Sequence, residues 1–379
     1  MHEVAKGLVG VIVTETTASM VDGSAGHLTY RGYAIEDLTA HASYEEAAYL
    51  LLHQHLPNRP ELADFQQNLA TEMILEPHFV EVMQRFPKNS HPLTILRTLI
   101  SMTGIYDATA DDNSLEAELR KAYRLIAYTS IFTAAWARIR QGLVPILPDK
   151  HLSLAANFLY MHTGANPTPA EIAALNVYLI LMADHSLNPS TFTSRVVAST
   201  DSDIYSAITA ALGALRGPKH GGANEATMEM FMEIGSPENV SSFFSEQVKG
   251  KGRKIMGFGH RVYRTTDPRS VILRHHTETL AKSLEDTHWF DIAAGLENLA
   301  LTDPYFIERH IYANVDYYSS VLLYMLGIEP DLMPLVFAMG RMAGWVTHIL
   351  EQRLENRLIH PEALYIGEAD RAWVKLEDR

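Results

Sequence analysis

The sequence predicts an all-α fold of many packed helices with one small β-hairpin near the N-terminus. Helix-capping residues repeatedly precede apolar runs with helical spacing. Extended runs bounded by turn residues occur only near the start of the chain, and no strand–helix alternation of the kind that builds a parallel sheet follows them. At about 150 residues per domain, a chain of 379 residues is long enough for two to three domains.

The hairpin is predicted within the first thirty residues. Val9–Thr16 is the first strand candidate, and Asp22–Gly26 has the composition of a turn. A second short extended run, His27–Tyr30, follows that turn.

The helices are predicted from their start and stop signals. Ser43 caps a run of good helix formers that ends near His53. Thr168 and Glu171 form a capping box that leads into the apolar run Ile172–Met182, whose composition is typical of a buried helix. The other predicted helices are Ile204–Leu215 with Ser202 as its N-cap, one from Pro237 to near Gly250, one that starts at Asp267 and Pro268 and runs through Leu284, Tyr317–Leu326, and Leu332–Leu350.

Charge and cysteine content exclude several classes of function. The 31 Lys and Arg residues against 45 Asp and Glu residues give a net charge of −14. Nucleic acids and anionic membranes attract basic surfaces, so neither is expected as a partner. With no cysteine in the chain, disulfides, thiolate metal ligands and thiol nucleophiles are all excluded.

The chain carries no recognisable targeting or metal-binding signal. The apolar stretch Gly7–Val13 is short and has no cleavage site of the secretory kind, so we expect a cytoplasmic protein. The most membrane-like window, Leu332–Leu350, contains Pro334, Arg341 and His348, which favours a buried helix of a globular core. No His-Glu-x-x-His helix is present, and we expect no metal.

Three clusters carry the residues best suited to chemistry: 217–225, 257–269 and Asn314–Asp316. The first two place His220 and His260 in glycine-containing loops, where backbone can approach a ligand closely. The segment Lys249–Arg274 holds eight Lys and Arg residues and one Asp, an excess of seven positive charges in an acidic chain. We expect a polyanionic ligand to bind there.

Each of these residues also has a purely structural interpretation. A loop histidine is more often a surface or capping residue than a catalyst, and Asp316 has the position of an N-cap for the helix that follows it. Arg269 is harder to explain structurally, because it falls in the first turn of a helix, where the helix dipole favours an anion over a cation.

In order and spacing, the three clusters resemble the three signature segments of the citrate synthase family. The likeness extends over essentially the whole chain and includes four further segments and the single residue Arg341. These are Val21–Gly23 with Tyr30–Tyr33, Asp184–Thr191, Arg341, and Tyr365–Gly367.

This resemblance implies a two-domain helical homodimer, with higher oligomers also open. The large domain would comprise residues 1–220 and 327–379, and the small domain residues 221–326. The implied reaction condenses acetyl-CoA with oxaloacetate and hydrolyses the thioester, giving citrate and CoA, with no metal or redox cofactor.

The resemblance also implies a role for each residue of the three clusters. Asp316 matches the base that takes a proton from the acetyl group, and His220 matches the residue that stabilises the enol as a neutral hydrogen-bond donor. His260 matches the acid at the oxaloacetate carbonyl. The residues that match oxaloacetate contacts are His185, Asn188, Arg269, Arg341 and His360.

The basic segment matches the CoA site of the family. Arg264 corresponds to a contact with the CoA phosphates. The other positions implied for CoA binding are Lys251, Arg253, Lys254, Gly257, Phe258 and Gly259.

One position departs from the family pattern. In most relatives an Arg precedes the C-terminal Pro and reaches the oxaloacetate of the neighbouring subunit, whereas this chain has His360 before Pro361. Histidine titrates near neutral pH and arginine does not, so we expect weaker or pH-sensitive oxaloacetate binding, with Arg357 as a candidate for compensation.

Two alternative functions remain open at this point. A 2-methylcitrate synthase would use propionyl-CoA with the same catalytic positions, and one methylene in an apolar pocket discriminates by only about 1–3 kcal/mol. A non-catalytic paralogue used for ligand sensing or assembly is the other alternative, which the retention of His220, His260 and Asp316 disfavours.

Overall fold

The fold was analysed in a computed structural model, which describes residues 4–379. Its single sheet is antiparallel, and its strands are β1 (Ser19–Asp22), β2 (His27–Tyr30) and β3 (Tyr33–Ala34). The predicted turn and second strand are confirmed, with Asp22 paired to His27 across the turn. The prediction of a strand at Val9–Thr16 is wrong: this stretch forms no strand, and its Val9 and Ile12 side chains are 69% and 91% exposed. Apolar residues there have no neighbouring strand to pair with.

Apart from this sheet, the regular secondary structure of the described chain is helical, as predicted. Seventeen α-helices lie within residues 4–379. They are α1 (Ile35–His41), α2 (Tyr44–His53), α3 (Arg59–Glu72), α4 (Pro77–Arg85), α5 (Pro92–Tyr106), α6 (Leu115–Arg140), α7 (Leu154–Thr163), α8 (Pro169–Met182), α9 (Pro189–Ala198), α10 (Ile204–Leu215), α11 (Ala223–Ile234), α12 (Val240–Phe243), α13 (Pro268–Ser283), α14 (His288–Thr302), α15 (Pro304–Glu308), α16 (Val315–Met325) and α17 (Met333–Leu354).

Local capping explains why the helices begin where they do. Ser43 and Thr168 form complete capping boxes with Glu46 and Glu171, as predicted. Ser202 is not the N-cap of α10; the Asp203 carboxylate caps it by accepting from the backbone N–H of Ser206 at 2.9 Å. Both residue types are good caps, and the residue nearer the first helical turn takes the role.

The core is built around α6, α8 and α17. Helix α17 packs against α2, α6, α8 and α9, and most of its residues, including Trp345 and Met342, are fully buried. This confirms the prediction that the apolar run at 332–350 is a buried helix. Among residues 4–379 no single helix is long and apolar enough to cross a membrane. Only when taken together do α16 and the segment Pro330–Leu354, which contains α17, reach that length and apolar composition, and the two are bent by 118° relative to each other. A cytoplasmic location stays a prediction.

A second group of helices packs around α16. Helices α11, α13 and α14 all contact it. The helix predicted from Pro237 to Gly250 is present but irregular: a short 3-10 turn leads into α12, which continues as a π-helix from Phe244 to Gly250.

Candidate active site

The second and third clusters are joined by backbone and side-chain hydrogen bonds. The Gly259 N–H donates to the Tyr312 carbonyl at 2.8 Å, and the Asn314 N–H donates to the Gly257 carbonyl at 2.8 Å. The Asn314 side-chain amide donates to the Gly259 carbonyl at 2.7 Å. His260 and Asp316 are therefore carried by two segments that form one unit.

Gly257 is required by this arrangement. Its φ of +76° lies in the left-handed region. A Cβ atom there would lie 2.9 Å from the Tyr317 Cα and 3.1 Å from the Thr227 Oγ1. The absence of a side chain allows the loop to lie directly against the first turn of α16.

His260 has a defined neutral tautomer. Its Nδ1 accepts hydrogen bonds from the backbone N–H groups of Val262 (3.0 Å) and Tyr263 (3.2 Å), so Nδ1 carries no proton. Loss of hydration and the nearby Arg269 guanidinium lower the pKa of His260 to about 4. The neutral ring thus keeps its proton on Nε2, where it is available as a donor.

His185 lies beside His260. Their ring centroids are 5.5 Å apart in an edge-to-face arrangement. The Nε2 of His185 is 3.2 Å from the hydroxyl of Tyr263. Loss of hydration, together with Arg269 and Arg341, holds the pKa of His185 well below its usual range, which keeps this ring neutral as well.

The two predicted anion-binding arginines are both buried but differ in their partners. Arg269 forms two hydrogen bonds with the carboxylate of Asp267, at 3.0 and 2.8 Å. Arg341 is 2% exposed, donates from Nε to the Met182 carbonyl at 2.6 Å and lies over the Phe337 ring. Within residues 4–379 it forms no ion pair, so its buried positive charge is available to an anionic ligand.

Asp316 is not an N-cap, because Asn314 caps α16 by accepting from the backbone N–H of Asp316 at 2.8 Å. Its carboxylate is partly buried, and loss of hydration raises the pKa of Asp316 to about 6, against the opposing effect of Arg269. A carboxylate with this pKa is a stronger base than an exposed one and is still ionised at neutral pH.

His220 is anchored by the N-terminal turn of α9. Its Nε2 lies 2.8 Å from the Ser190 hydroxyl, which also accepts from the Trp345 indole N–H at 3.1 Å and donates to Asn188 Oδ1 at 2.7 Å. Loss of hydration and the charge of Arg341 lower the pKa of His220 to about 4. Its imidazole is therefore neutral at physiological pH.

Asn188 and His360, the two remaining predicted oxaloacetate contacts, lie in different surroundings. Asn188 caps α9, accepting from the backbone N–H groups of Ser190 and Thr191 and donating to Ser186 and Thr191. His360 is exposed on the extended segment after α17 and makes no hydrogen bond or ion pair within residues 4–379. Contact of either residue with substrate stays a prediction.

Sequence reasoning missed several polar groups of this site. Tyr263, Ser190 and Trp345 touch the predicted residues, and Tyr178 has a buried hydroxyl without a hydrogen-bond partner among the described residues. Burial and the charge of Asp316 raise the pKa of Tyr178 well above its usual value, and the charge of Arg341 acts in the opposite direction. Only Tyr263, three residues after His260, lies within a predicted cluster.

The basic segment is partly neutralised by carboxylates from elsewhere in the chain. Lys249 pairs with Asp303, Arg253 with Glu233, and Arg274 with Glu297. These three carboxylates reduce the excess of seven positive charges to four. The exposed cations for which the structure gives no carboxylate partner within residues 4–379 are Lys251, Lys254, Arg261 and Arg264.

The described residues also include no group of three or more His, Asp or Glu side chains placed to hold a metal ion. The expectation of a reaction without metal or redox cofactor stays a prediction.

Comparison with known proteins identifies the family of this chain. The family model described as "Citrate synthase, C-terminal domain" matches residues 7–362. Citrate synthase 2 of Bacillus subtilis is 44% identical over 375 residues, which cover 99% of each chain. The chain belongs to the citrate synthase family.

Further relatives bear on fold and substrate. The citrate synthase of Thermoplasma acidophilum, solved as a ternary complex with carboxymethyl coenzyme A and oxaloacetate, is 34% identical, with a TM-score of 0.93 and complete coverage of both chains. The 2-methylcitrate synthase of Mycobacterium tuberculosis is 39% identical over 97% of this chain and 92% of its own. The protein is thus an enzyme of the acyltransferase type with the citrate synthase fold, and both members of the family named in the predictions are among its relatives.

Proposed function

We propose that this enzyme condenses acetyl-CoA with oxaloacetate and hydrolyses the resulting citryl-CoA to citrate and CoA. The observation that carries the proposal is Arg341, a buried guanidinium without an ion pair among the described residues, set near two neutral histidines and a carboxylate with a raised pKa. A buried cation of this kind favours an anionic substrate, because binding supplies the missing counter-charge. Oxaloacetate carries two carboxylates, and Arg269 is the second guanidinium at the site.

The reaction begins with transfer of a methyl proton of acetyl-CoA to Asp316. A thioester methyl is a very weak acid, so negative charge on the enolate oxygen must be stabilised as it forms. His220 is the donor for that oxygen. Since the imidazole is neutral, it offers one N–H, and for that proton to lie on Nδ1 the Ser190 hydroxyl must donate to Nε2 in place of Asn188 Oδ1.

The enol carbon then attacks the ketone carbon of oxaloacetate, and His260 protonates the ketone oxygen. The hydrogen bonds at Nδ1 of His260 support this role, because they leave its proton on Nε2. Water then cleaves the citryl-CoA thioester: its oxygen enters the new carboxylate and one of its protons goes to the CoA sulfur. Solvent takes up the proton held by Asp316 and returns one to His260, so one acetyl-CoA, one oxaloacetate and one water give one citrate, one CoA and one proton.

The exposed cations of the basic segment are proposed to bind CoA. Lys251, Lys254 and Arg264 are exposed and free of carboxylate partners within residues 4–379, so they suit the phosphates of this polyanion. Arg253 is less suited, because Glu233 already accepts from both of its terminal nitrogens, at 2.6 and 2.7 Å. Gly257, Phe258 and Gly259 would contribute backbone next to this surface.

We also propose the two domains implied by the resemblance and a homodimer. The group of helices around α16 falls within the proposed small domain, residues 221–326. Large apolar side chains at both ends of the described chain are exposed, among them Ile12, Ile366 and Trp373 at 91%, 90% and 85%. Such residues favour burial against a second copy, and His360 lies on the same C-terminal segment.

Release of CoA tests the function. The purified protein is incubated with oxaloacetate plus acetyl-CoA, and separately with oxaloacetate plus propionyl-CoA, and free thiol is measured. We expect kcat/KM to be higher with acetyl-CoA. A higher value with propionyl-CoA would identify a 2-methylcitrate synthase, and no release with either thioester would favour the non-catalytic paralogue. Asp316→Asn serves as the matched inactive control.

A further inference from the structure

We propose that Tyr263 is a positioning residue of the oxaloacetate site, whose hydroxyl orients His185 and whose ring supports His260 and Arg269. This inference rests on the proposed function and adds to it a residue with no assigned role. Tyr263 lies in the loop after His260 and is 3% exposed.

The first contact is with His185. The Tyr263 hydroxyl lies 3.2 Å from Nε2 of that imidazole. A neutral imidazole donates from one nitrogen only, so the group at Nε2 determines which nitrogen remains for a ligand. The Tyr263 hydroxyl pairs with Nε2 in either tautomer, so it restrains the rotation of the ring and leaves Nδ1 as the nitrogen that can face a ligand.

The other contacts are made by the aromatic ring. Its centroid lies 4.8 Å from that of His260, and the Arg269 guanidinium carbon lies 5.9 Å from the Tyr263 ring centroid. In addition, the backbone N–H of Tyr263 donates to His260 Nδ1 at 3.2 Å. One residue thus touches three of the proposed oxaloacetate contacts.

None of these contacts involves the acetyl-CoA half of the site. His220 is anchored by Ser190 and Trp345, and Asp316 is held by Asn314. Loss of the Tyr263 hydroxyl is therefore expected to affect oxaloacetate more than acetyl-CoA, which a general loosening of the fold would not do.

The experiment compares steady-state constants of the wild-type enzyme with Tyr263→Phe, Tyr263→Leu and a control. The control is Tyr205→Phe, on α10. It removes another hydroxyl that donates a hydrogen bond to a polar side chain, here the carboxylate of Asp107 at 2.6 Å. We expect Tyr263→Phe to raise the KM for oxaloacetate roughly tenfold, the effect of one hydrogen bond and an unsatisfied partner. Its kcat and its KM for acetyl-CoA should stay close to wild type. Tyr263→Leu should in addition lower kcat, because His260 loses its ring neighbour.

A double-mutant cycle of Tyr263→Phe and His185→Gln tests the proposal even if Tyr263→Phe also lowers the stability of the protein. If the hydroxyl acts through His185, adding Tyr263→Phe to His185→Gln should leave the KM for oxaloacetate where His185→Gln alone puts it. If the wild type is active, any of three results would overturn this inference and leave the proposed function standing. These are an unchanged KM for oxaloacetate in Tyr263→Phe, additive effects of the two substitutions in the cycle, and an equal change of that KM in Tyr205→Phe. An inactive wild type would overturn the proposed function, and this inference with it.

Discussion

At the scale of single residues, one physical cause prepares acid and base in opposite ways. Loss of hydration disfavours charge, so it lowers the pKa of His220 and His260 to about 4 and raises that of Asp316 to about 6. The histidines are left neutral and able to donate, while the aspartate remains ionised at pH 7 but holds a proton more strongly than a solvated carboxylate. These are the protonation states that enolisation followed by carbonyl protonation requires.

The pH dependence of turnover should therefore report Asp316. Below its pKa of about 6 the carboxylate is protonated and cannot accept the methyl proton. At saturating oxaloacetate, kcat/KM for acetyl-CoA should fall about tenfold per pH unit below pH 6 and be flat from pH 7 to 8. A rate that stays constant down to pH 5 would exclude Asp316, with this pKa, as the base.

The raised pKa of Asp316 also predicts that its ionised carboxylate lowers the free energy of unfolding at neutral pH, and that Asp316→Asn removes this cost. Because the folded state binds a proton at Asp316 more tightly than the unfolded state does, this group's contribution to stability falls as pH rises from about 4 to about 6. Relative to wild type, Asp316→Asn should therefore gain more free energy of unfolding at pH 7.5 than at pH 4.5, by roughly 1–3 kcal/mol. Urea denaturation at both pH values measures this, and an equal difference at the two would contradict it.

The residue scale also shows what sequence could predict of the site. His220, His260, Asp316 and Arg269 stand in unusual local segments, which made them recognisable. Ser190 belongs to a helix start thirty residues before His220, and Tyr178 to the middle of a buried apolar helix. Ser190 lies within the segment Asp184–Thr191 that carries the resemblance, but its contact with His220, like the surroundings of Tyr178, depends on distant segments and has no local sequence signal of its own.

At the scale of elements, the helices could be predicted from their capping residues, whereas the short strands were harder to predict. Ser43, Thr168 and Asp267 act within three residues of their own positions, so their effects can be read from sequence. Pairing of β1 requires a partner strand and a turn of the right length. Val9–Thr16 has strand-like composition but no partner, and β1 forms instead next to the turn, at Ser19–Asp22.

The loop that carries His260 should tolerate no side chain at Gly257. Gly257→Ala and Gly252→Ala both place alanine at a positive φ, +76° and +69°, but only the first adds a clash, since Gly252 faces open space. In each variant the strained backbone conformation should lower the free energy of unfolding by about 1–2 kcal/mol. Overpacking should lower it by about a further 1–3 kcal/mol in Gly257→Ala. Its kcat should also fall, because Tyr317 follows Asp316 directly. Urea denaturation and kcat give the comparison, and equal losses in the two variants would show that contact with α16 is unimportant.

The basic segment should bind CoA through its unpaired cations. Arg264→Ala should raise the KM for acetyl-CoA about tenfold through loss of a charge-assisted contact with phosphate. Arg253→Ala, its matched control, should have a smaller effect because Glu233 already neutralises that side chain. The KM for oxaloacetate should stay unchanged in both. Equal effects of the two variants on acetyl-CoA would contradict the assignment.

At the scale of the whole molecule, the exposed apolar ends of the chain are the feature that a single copy does not explain. They flank a large core in which most residues of α6, α8 and α17 are buried. The C-terminal segment carries His360, at a position where the family pattern has an arginine. The proposed contact between His360 and the active site of a second copy would account for both observations.

His360→Arg tests that contact. Arginine stays charged at every working pH, whereas histidine loses its charge around neutrality. The variant should therefore lower the KM for oxaloacetate more at pH 8 than at pH 6. His151→Arg, which makes the same change at another exposed position, should leave it unaltered. An unchanged KM in His360→Arg at both pH values would show that His360 does not contact the substrate.

The hydrogen bonds between Gly257–Gly259 and Tyr312–Asn314 have a consequence for timing. Because they couple the loop of His260 to the start of α16, a rearrangement that moves Asp316 also moves His260. With the roles proposed above, the group that creates the carbon nucleophile and the group that activates its electrophile would arrive in a single movement. Such coupling would disfavour an enol that forms before its acceptor is ready, since that enol would simply revert.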